Sequence, residues 1–348
     1  MHAMVRPLVH GVDPLGSSAR SKAWVATTLA VALSSALAAC DGNSPATESP
    51  GNGSQGTSMT VPDGPTGYVG TLPTTNSQYR VLYGRGDNKG KSLSAETFFA
   101  TLGGADAVCM GENHQDEYFH DVQLLLLNHM IEQAQAAKPP KAIALGVEMV
   151  QKPYQTALDQ YDVGAIDEAA MLAGTQWVKL WGFDFELYRA LFQRIVSAHG
   201  PLRALNAPSA IVSKVAMGGL SALSATEMAS LPMLELLNAD HRAWFIKQVT
   251  GTHPIDGMQL DNLYTVQVIW DETMAESAWQ WLTSEGSMPR QIAIAAGTGH
   301  CVEWGIPWRL RRRGANTVYS VRPVEDTATT VQAVLDENLS DYIVAFVL

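Results

Sequence analysis

Four short apolar runs constrain the fold of this chain most, because each closes on a small residue followed by a polar one. Ala105-Asp106-Ala107-Val108-Cys109-Met110 leads into Gly111-Glu112-Asn113-His114, and Ala142-Ile143-Ala144-Leu145 leads into Gly146-Val147-Glu148-Met149. Leu202-Arg203-Ala204-Leu205 leads into Asn206-Ala207-Pro208, and Gln291-Ile292-Ala293-Ile294-Ala295-Ala296 leads into Gly297-Thr298-Gly299-His300. Short, nearly all-apolar runs bounded by glycine are the pattern of strands buried on both faces, as in a parallel sheet covered by helices. Helical stretches lie between them. Asp116 to Ala137 carries Val122, Leu125, Leu126 and Met130 at helical spacing and is stopped by Lys138-Pro139-Pro140. Pro153 to Tyr161, Phe185 to His199 and Leu263 to Leu282 read the same way. The expectation is an α/β fold, layered α/β/α around a mainly parallel central sheet. The Ala-, Leu- and Met-rich stretch Leu220 to Val249 is expected to supply helices of a cap spanning about residues 220–285.

The one continuously apolar stretch outside these runs is N-terminal. Arg20 and Lys22 precede Ala23 to Ala36, which ends in Leu37-Ala38-Ala39-Cys40. That run is too short to span about 30 Å of hydrocarbon comfortably and ends in small residues, so residues 1–39 read as a cleaved export signal. Leu-Ala-Ala-Cys resembles a bacterial lipobox, in which Cys40 is acylated and becomes the new N-terminus. Residues 40–67 are Asp, Gly, Asn, Ser, Pro, Thr and Glu with almost no apolar side chain, a composition that cannot bury enough surface to order itself. They are expected to form a tether, with the folded part at 68–348. The chain carries a formal charge of -11. Losing Arg6, Arg20, Lys22 and Asp13 with the leader leaves 20 basic against 33 acidic residues, or -13. Nucleic acid is disfavoured as a partner, and three cysteines are too few for a disulfide scaffold or a multi-cysteine zinc module.

Ligands of open parallel sheets bind beyond the carboxyl ends of the strands. There the four runs would gather Glu112, His114, Glu148, Asn206 and His300. Carboxylates and imidazoles together suit a divalent metal or acid–base chemistry. Cys109 and Cys301 flank this set. Small buried hydrophobes are the usual fate of such residues and the expectation here; an oxidising compartment permits a disulfide if their strands are neighbours. Tyr118, His120, Asp121 and Gln123 form a second polar–aromatic group, and His253, Met258, Tyr264, Gln267 and Asp271 a third. Tyr, His and Met are the usual axial ligands of haem iron.

In order along residues 105–310, these segments resemble the ChaN-like haem-binding lipoprotein family. The match is carried by Gly111-Glu112-Asn113-His114, His120 with Gln123, and Gly146-Val147-Glu148-Met149 with Gln155 and Asp159-Gln160-Tyr161. It continues through Asn206-Ala207-Pro208, His253 with Met258, Gln267 to Met274, and Gly297-Thr298-Gly299-His300 before Gly305-Ile306-Pro307. Asn113 and Gln115-Asp116 depart from the family's pattern. The resemblance implies a lipid-anchored protein of the bacterial cell envelope that takes part in iron and haem uptake. It implies haem as ligand, with Tyr118, His120, His253 and Tyr264 as candidate haem-binding residues, and it admits a homodimer. The wider superfamily includes Tiki-type metalloproteases and erythromycin esterases. That kinship implies an alternative, a metal-dependent hydrolase using Glu112, His114, Glu148 and His300.

Overall fold

The computed structural model describes residues 79–250 and 257–347. The leader, Cys40, the tether, the start of the folded part at Tyr68 and His253 lie outside the described residues. Eight strands are formed: β1 (Tyr79–Tyr83), β2 (Ser92–Leu93), β3 (Ala107–Glu112), β4 (Ala142–Gln151), β5 (Leu202–Asn206), β6 (Arg290–Gly297), β7 (Val318–Glu325) and β8 (Tyr342–Phe346). They make one sheet in the order β2-β1-β8-β7-β3-β6-β4-β5. The six strands from β8 to β5 are parallel, and β1 and β2 close one edge antiparallel. The fold is α/β with a mostly parallel sheet. All four glycine-bounded runs are strands, and they form the contiguous block β3-β6-β4-β5.

Alternation of side chains along the strands builds two apolar layers. On one face Val108, Met110, Leu145 and Val147 pack under α1 (Ala95–Gly104), α2 (Glu117–Ala136) and α6 (Glu186–Ser197), through residues such as Phe98, Leu126, Leu127 and Phe192. The first helical turn of α2 is capped by Asp116, whose side chain accepts the Tyr118 backbone N–H. Between β4 and α6 run α3 (Gln155–Asp162), α4 (Glu168–Gly174) and α5 (Trp177–Leu180). On the other face Ala107, Cys109, Ile292 and Ile294 pack under α7 (Ser209–Gly218), α10 (Gly257–Thr283) and α11 (Ile306–Arg313). The helices α8 (Ala225–Ser230) and α9 (Ala239–Val249) lie between α7 and α10, and α12 (Ala328–Glu337) covers β7 and β8.

Within the stretch from 220 to 285 the longest helix, α10, has a nearly continuous buried run from Leu263 to Ala278 and forms part of one layer of the sandwich, while residues 232–238 are irregular. One expectation needs correcting. Cys109 and Cys301 are not free thiols: they form a disulfide, with Cα atoms 5.3 Å apart. The physical reason is side-chain parity. Cys109 falls on the α10–α11 face of β3, the same layer in which Cys301 is buried. Among the described residues, no helix is long and apolar enough to cross a membrane.

Candidate functional site

The parallel register places the ends of β3 and β6 side by side, with Glu112 opposite Gly297. The turn after β6 is tied to β3, since Thr298 donates to the Glu112 carbonyl from its backbone N–H (3.0 Å) and its hydroxyl (3.1 Å). It then closes on itself through His300 N–H to Gly297 O and Ile306 N–H to His300 O, both 2.8 Å. Gly305 is required there, because a Cβ on it would stand 2.2 Å from the His300 carbonyl oxygen. Gly297 does the equivalent for the side chains. A Cβ there would lie 3.0 Å from the His114 ring and 3.5 Å from the Glu148 carboxylate, so its absence lets those two groups approach.

Glu112, His114, Glu148 and His300 do meet at this point, and all but the partly exposed His300 are buried. They meet as two carboxylate–histidine pairs. In the first, His114 Nδ1 is 2.7 Å from Glu112 Oε1, while the Tyr188 hydroxyl donates to that same oxygen at 2.9 Å. Gln123 Nε2 donates to Glu112 Oε2, also at 2.9 Å. Burial opposes ionisation of Glu112, but the charge of His120 and the hydrogen bond from His114 outweigh it and hold the carboxyl below its usual range. Burial and the adjacent Glu112 push the Tyr188 phenol well above 10, so it stays a donor.

In the second pair, His300 Nε2 is 3.3 Å from Glu148 Oε1 and His300 Nδ1 is 2.6 Å from Asp271 Oδ1. The Gly297 N–H donates to Glu148 Oε2 at 2.6 Å. Burial works against both charges here as well. Glu148 is nevertheless held at about 2 by His300, and His300 is raised to about 10 by Glu148 and Asp271. Behind them, burial lowers His241 to about 4 and keeps its ring neutral.

These shifts fix how stability depends on pH. The Glu148 contribution is complete above the ordinary carboxyl value of 4.5 and is lost as pH falls toward 2. The His241 shift removes stability as pH falls from 6.5 to about 4, since the unfolded ring protonates first. The His300 contribution is complete below 6.5 and is lost as pH rises toward 10. The melting temperature should therefore fall as pH rises from 6.5 to 9, and His300→Gln should flatten that alkaline limb. Equal melting temperatures at pH 6.5 and 9 in the wild type would contradict the pairing.

The remaining sequence candidates scatter. Tyr118 sits in the first turn of α2 at the carboxyl edge of the sheet, 41% exposed, with its ring stacked on Phe346 (5.7 Å). His120 is buried, with Nδ1 3.2 Å from Gln123 Oε1 and Nε2 3.3 Å from the His114 carbonyl. Tyr264 is buried under α9, its hydroxyl 3.3 Å from His241 Nδ1. Asn206 turns its side chain back onto the Ala207 N–H. Aromatic rings edge the crevice: Trp181 and Phe183 against His114 (4.7 and 5.1 Å), Trp270 against His300 (6.1 Å), and Trp244 beside Gly299. Tyr188 and Arg309 belong to this centre and carry no sequence signal; Gln123, Gln267 and Asp271 stand in the polar clusters without a role that spacing could assign.

The two imidazoles are engaged with carboxylates, and among the described residues no group of three or more His, Cys, Asp or Glu is placed to hold a metal ion. A model of the haem-binding uptake family of the Tiki superfamily, ChaN, matches residues 98–310. The chain belongs to the ChaN family. The solved structure of ChaN from Campylobacter jejuni, described as binding haem cofacially, superimposes with a TM-score of 0.61 at 16% identity, covering 78% of this chain and 98% of that one. At that identity the likeness concerns the fold, and it places the present α/β sandwich with a ChaN protein. RRSP, a MARTX toxin effector domain from Vibrio vulnificus, aligns at a TM-score of 0.36 and 13% identity, over 72% of this chain and 36% of that domain. No curated protein gives a significant match.

Proposed function

We propose that this ChaN-family chain is an exported, lipid-anchored protein that binds haem at the mouth of the crevice and serves its uptake. The observation that carries this reading is the family match across residues 98–310, which spans the whole crevice from β3 to α11. The aromatic rim of Trp181, Phe183, Trp244 and Trp270 supports it, since a porphyrin offers a large flat apolar face for such rings. Export through the leader is supported by the Cys109–Cys301 disulfide, a bond that persists in oxidising compartments, and anchoring at Cys40 rests on the lipobox-like Leu37-Ala38-Ala39-Cys40.

Haem supplies an iron atom that needs an axial side chain, and the geometry ranks the candidates. His300 has a carboxylate at each ring nitrogen and offers the iron no lone pair. His120 and Tyr264 are buried and engaged with neighbours inside the fold. Tyr118 combines a ligating hydroxyl with exposure at the crevice end of the sheet, so it is the ligand favoured among the described residues. His253, outside them, is the second. Tyr118→Phe is expected to shift the Soret band of the haem-loaded protein and weaken binding at least tenfold, about 1.4 kcal/mol. Spectra unchanged in both Tyr118→Phe and His253→Ala would remove both residues from the reading.

A further inference from the structure

Asp271 is wholly buried on α10, and its two oxygens face different groups. Oδ1 meets His300 Nδ1 at 2.6 Å. Oδ2 is approached by His241 Nε2 and by Arg309 Nη1, each at 3.6 Å. Gln267 Nε2, one turn earlier on the same helix, donates to both oxygens at 3.3 and 3.4 Å. The carboxylate is thus braced from α9, α10 and α11 and has one short contact, to the ring at the crevice. A carboxylate on one ring nitrogen of a histidine fixes the tautomer and the direction of the other. The other here is Nε2, which faces Glu148 at 3.3 Å.

We propose that Asp271, braced by Arg309, His241 and Gln267, is the positioning residue for His300, holding its ring so that Nε2 and the paired Glu148 are presented to the crevice. This rests on the haem reading in one respect, that the crevice is where the ligand is received. The geometry also explains why an acid is kept in the interior of a long helix. His300 sits in a turn whose backbone is fixed by the disulfide at Cys301 and by the bond from Ile306 N–H, and its side chain is held by Asp271 at 2.6 Å and Gln267 at 3.1 Å on Nδ1 and by Glu148 at 3.3 Å on Nε2.

The test uses nitrogen-15 and proton NMR of the histidine side chains in the full chain, with His300 assigned by the signal lost in His300→Gln. The wild type should show a proton on His300 Nδ1 with a strongly downfield resonance. That resonance should vanish in Asp271→Asn and return in Asp271→Glu. An Nδ1 without a proton in the wild type, a measurement that needs no variant, overturns the assignment. So does a resonance that survives Asp271→Asn, which would mean that Glu148 alone orients the ring. The NMR readout does not require haem, so a wild type that takes up no haem defeats the proposed function and leaves the role of Asp271 decided by the resonance alone.

Discussion

Arg309→Met should lower stability by about 3–5 kcal/mol, because it strips the cation from two buried carboxylates. Arg309 is fully buried, with Nε 3.2 Å from Glu272 Oε1 and Nη1 3.6 Å from Asp271 Oδ2. Its Nη1 also donates to the carbonyls of Trp304 and Gly305, at the turn into α11. Glu272 keeps Arg313 (2.8 Å) and Arg312 (3.3 Å), but Asp271 would keep only histidines and an amide. In a domain of this size the loss corresponds to a fall in melting temperature on the order of 10 °C. Glu272→Gln added to Arg309→Met should not recover it, because Glu272 still answers Arg312 and Arg313. A single variant that melts within about 2 °C of the wild type would show that the cluster is not held by this cation.

Replacing both Cys109 and Cys301 by alanine should cost a further few kcal/mol. The bond closes a loop of 192 residues, and cross-links over long loops typically stabilise by about 2–4 kcal/mol, by restricting the unfolded chain. Both residues are buried in the layer between β3 and α10, so the change leaves packing voids as well. It also acts at the site. Cys301 follows His300, and Cys109 lies three residues before Glu112, so the bridge fastens one carboxylate–histidine pair to the strand that carries the other. Thermal unfolding of the double variant against the wild type, with and without reductant, reads the effect. A melting temperature unchanged in the double variant contradicts it.

How much of this was legible follows from where each signal originates. Strands β3, β4, β5 and β6 are readable because both their faces are buried, which leaves an unbroken apolar run ending in glycine or asparagine. Strands β7 and β8 lack that mark. In β7 the run Val318-Tyr319-Ser320-Val321-Arg322-Pro323 mixes in polar residues and a proline. Proline is tolerated because β3 pairs with β7 only as far as Val321, so Pro323 has a neighbour on one side alone. The convergence of Glu112, Glu148 and His300 follows from strand-end position, which spacing reveals. Their pairing does not: the two carboxylate–histidine pairs depend on Tyr188, Gln123 and Asp271, brought in from three helices. A tyrosine on the core face of α6 reads as packing, and nothing in Arg309-Leu310-Arg311-Arg312-Arg313 distinguishes the one arginine that is wholly buried. The disulfide required knowing that β3 adjoins β6 and that both cysteines share a face, which is a statement about topology.

Under the proposed function this ChaN-family chain takes haem at the aromatic rim of its crevice. Titration of the purified chain with haem, followed by absorbance, tests it most directly. The account predicts a saturable Soret shift at micromolar haem that is altered in Tyr118→Phe, His253→Ala or both. An absorbance identical to that of free haem throughout the titration, from protein that unfolds cooperatively and is therefore folded, would contradict it.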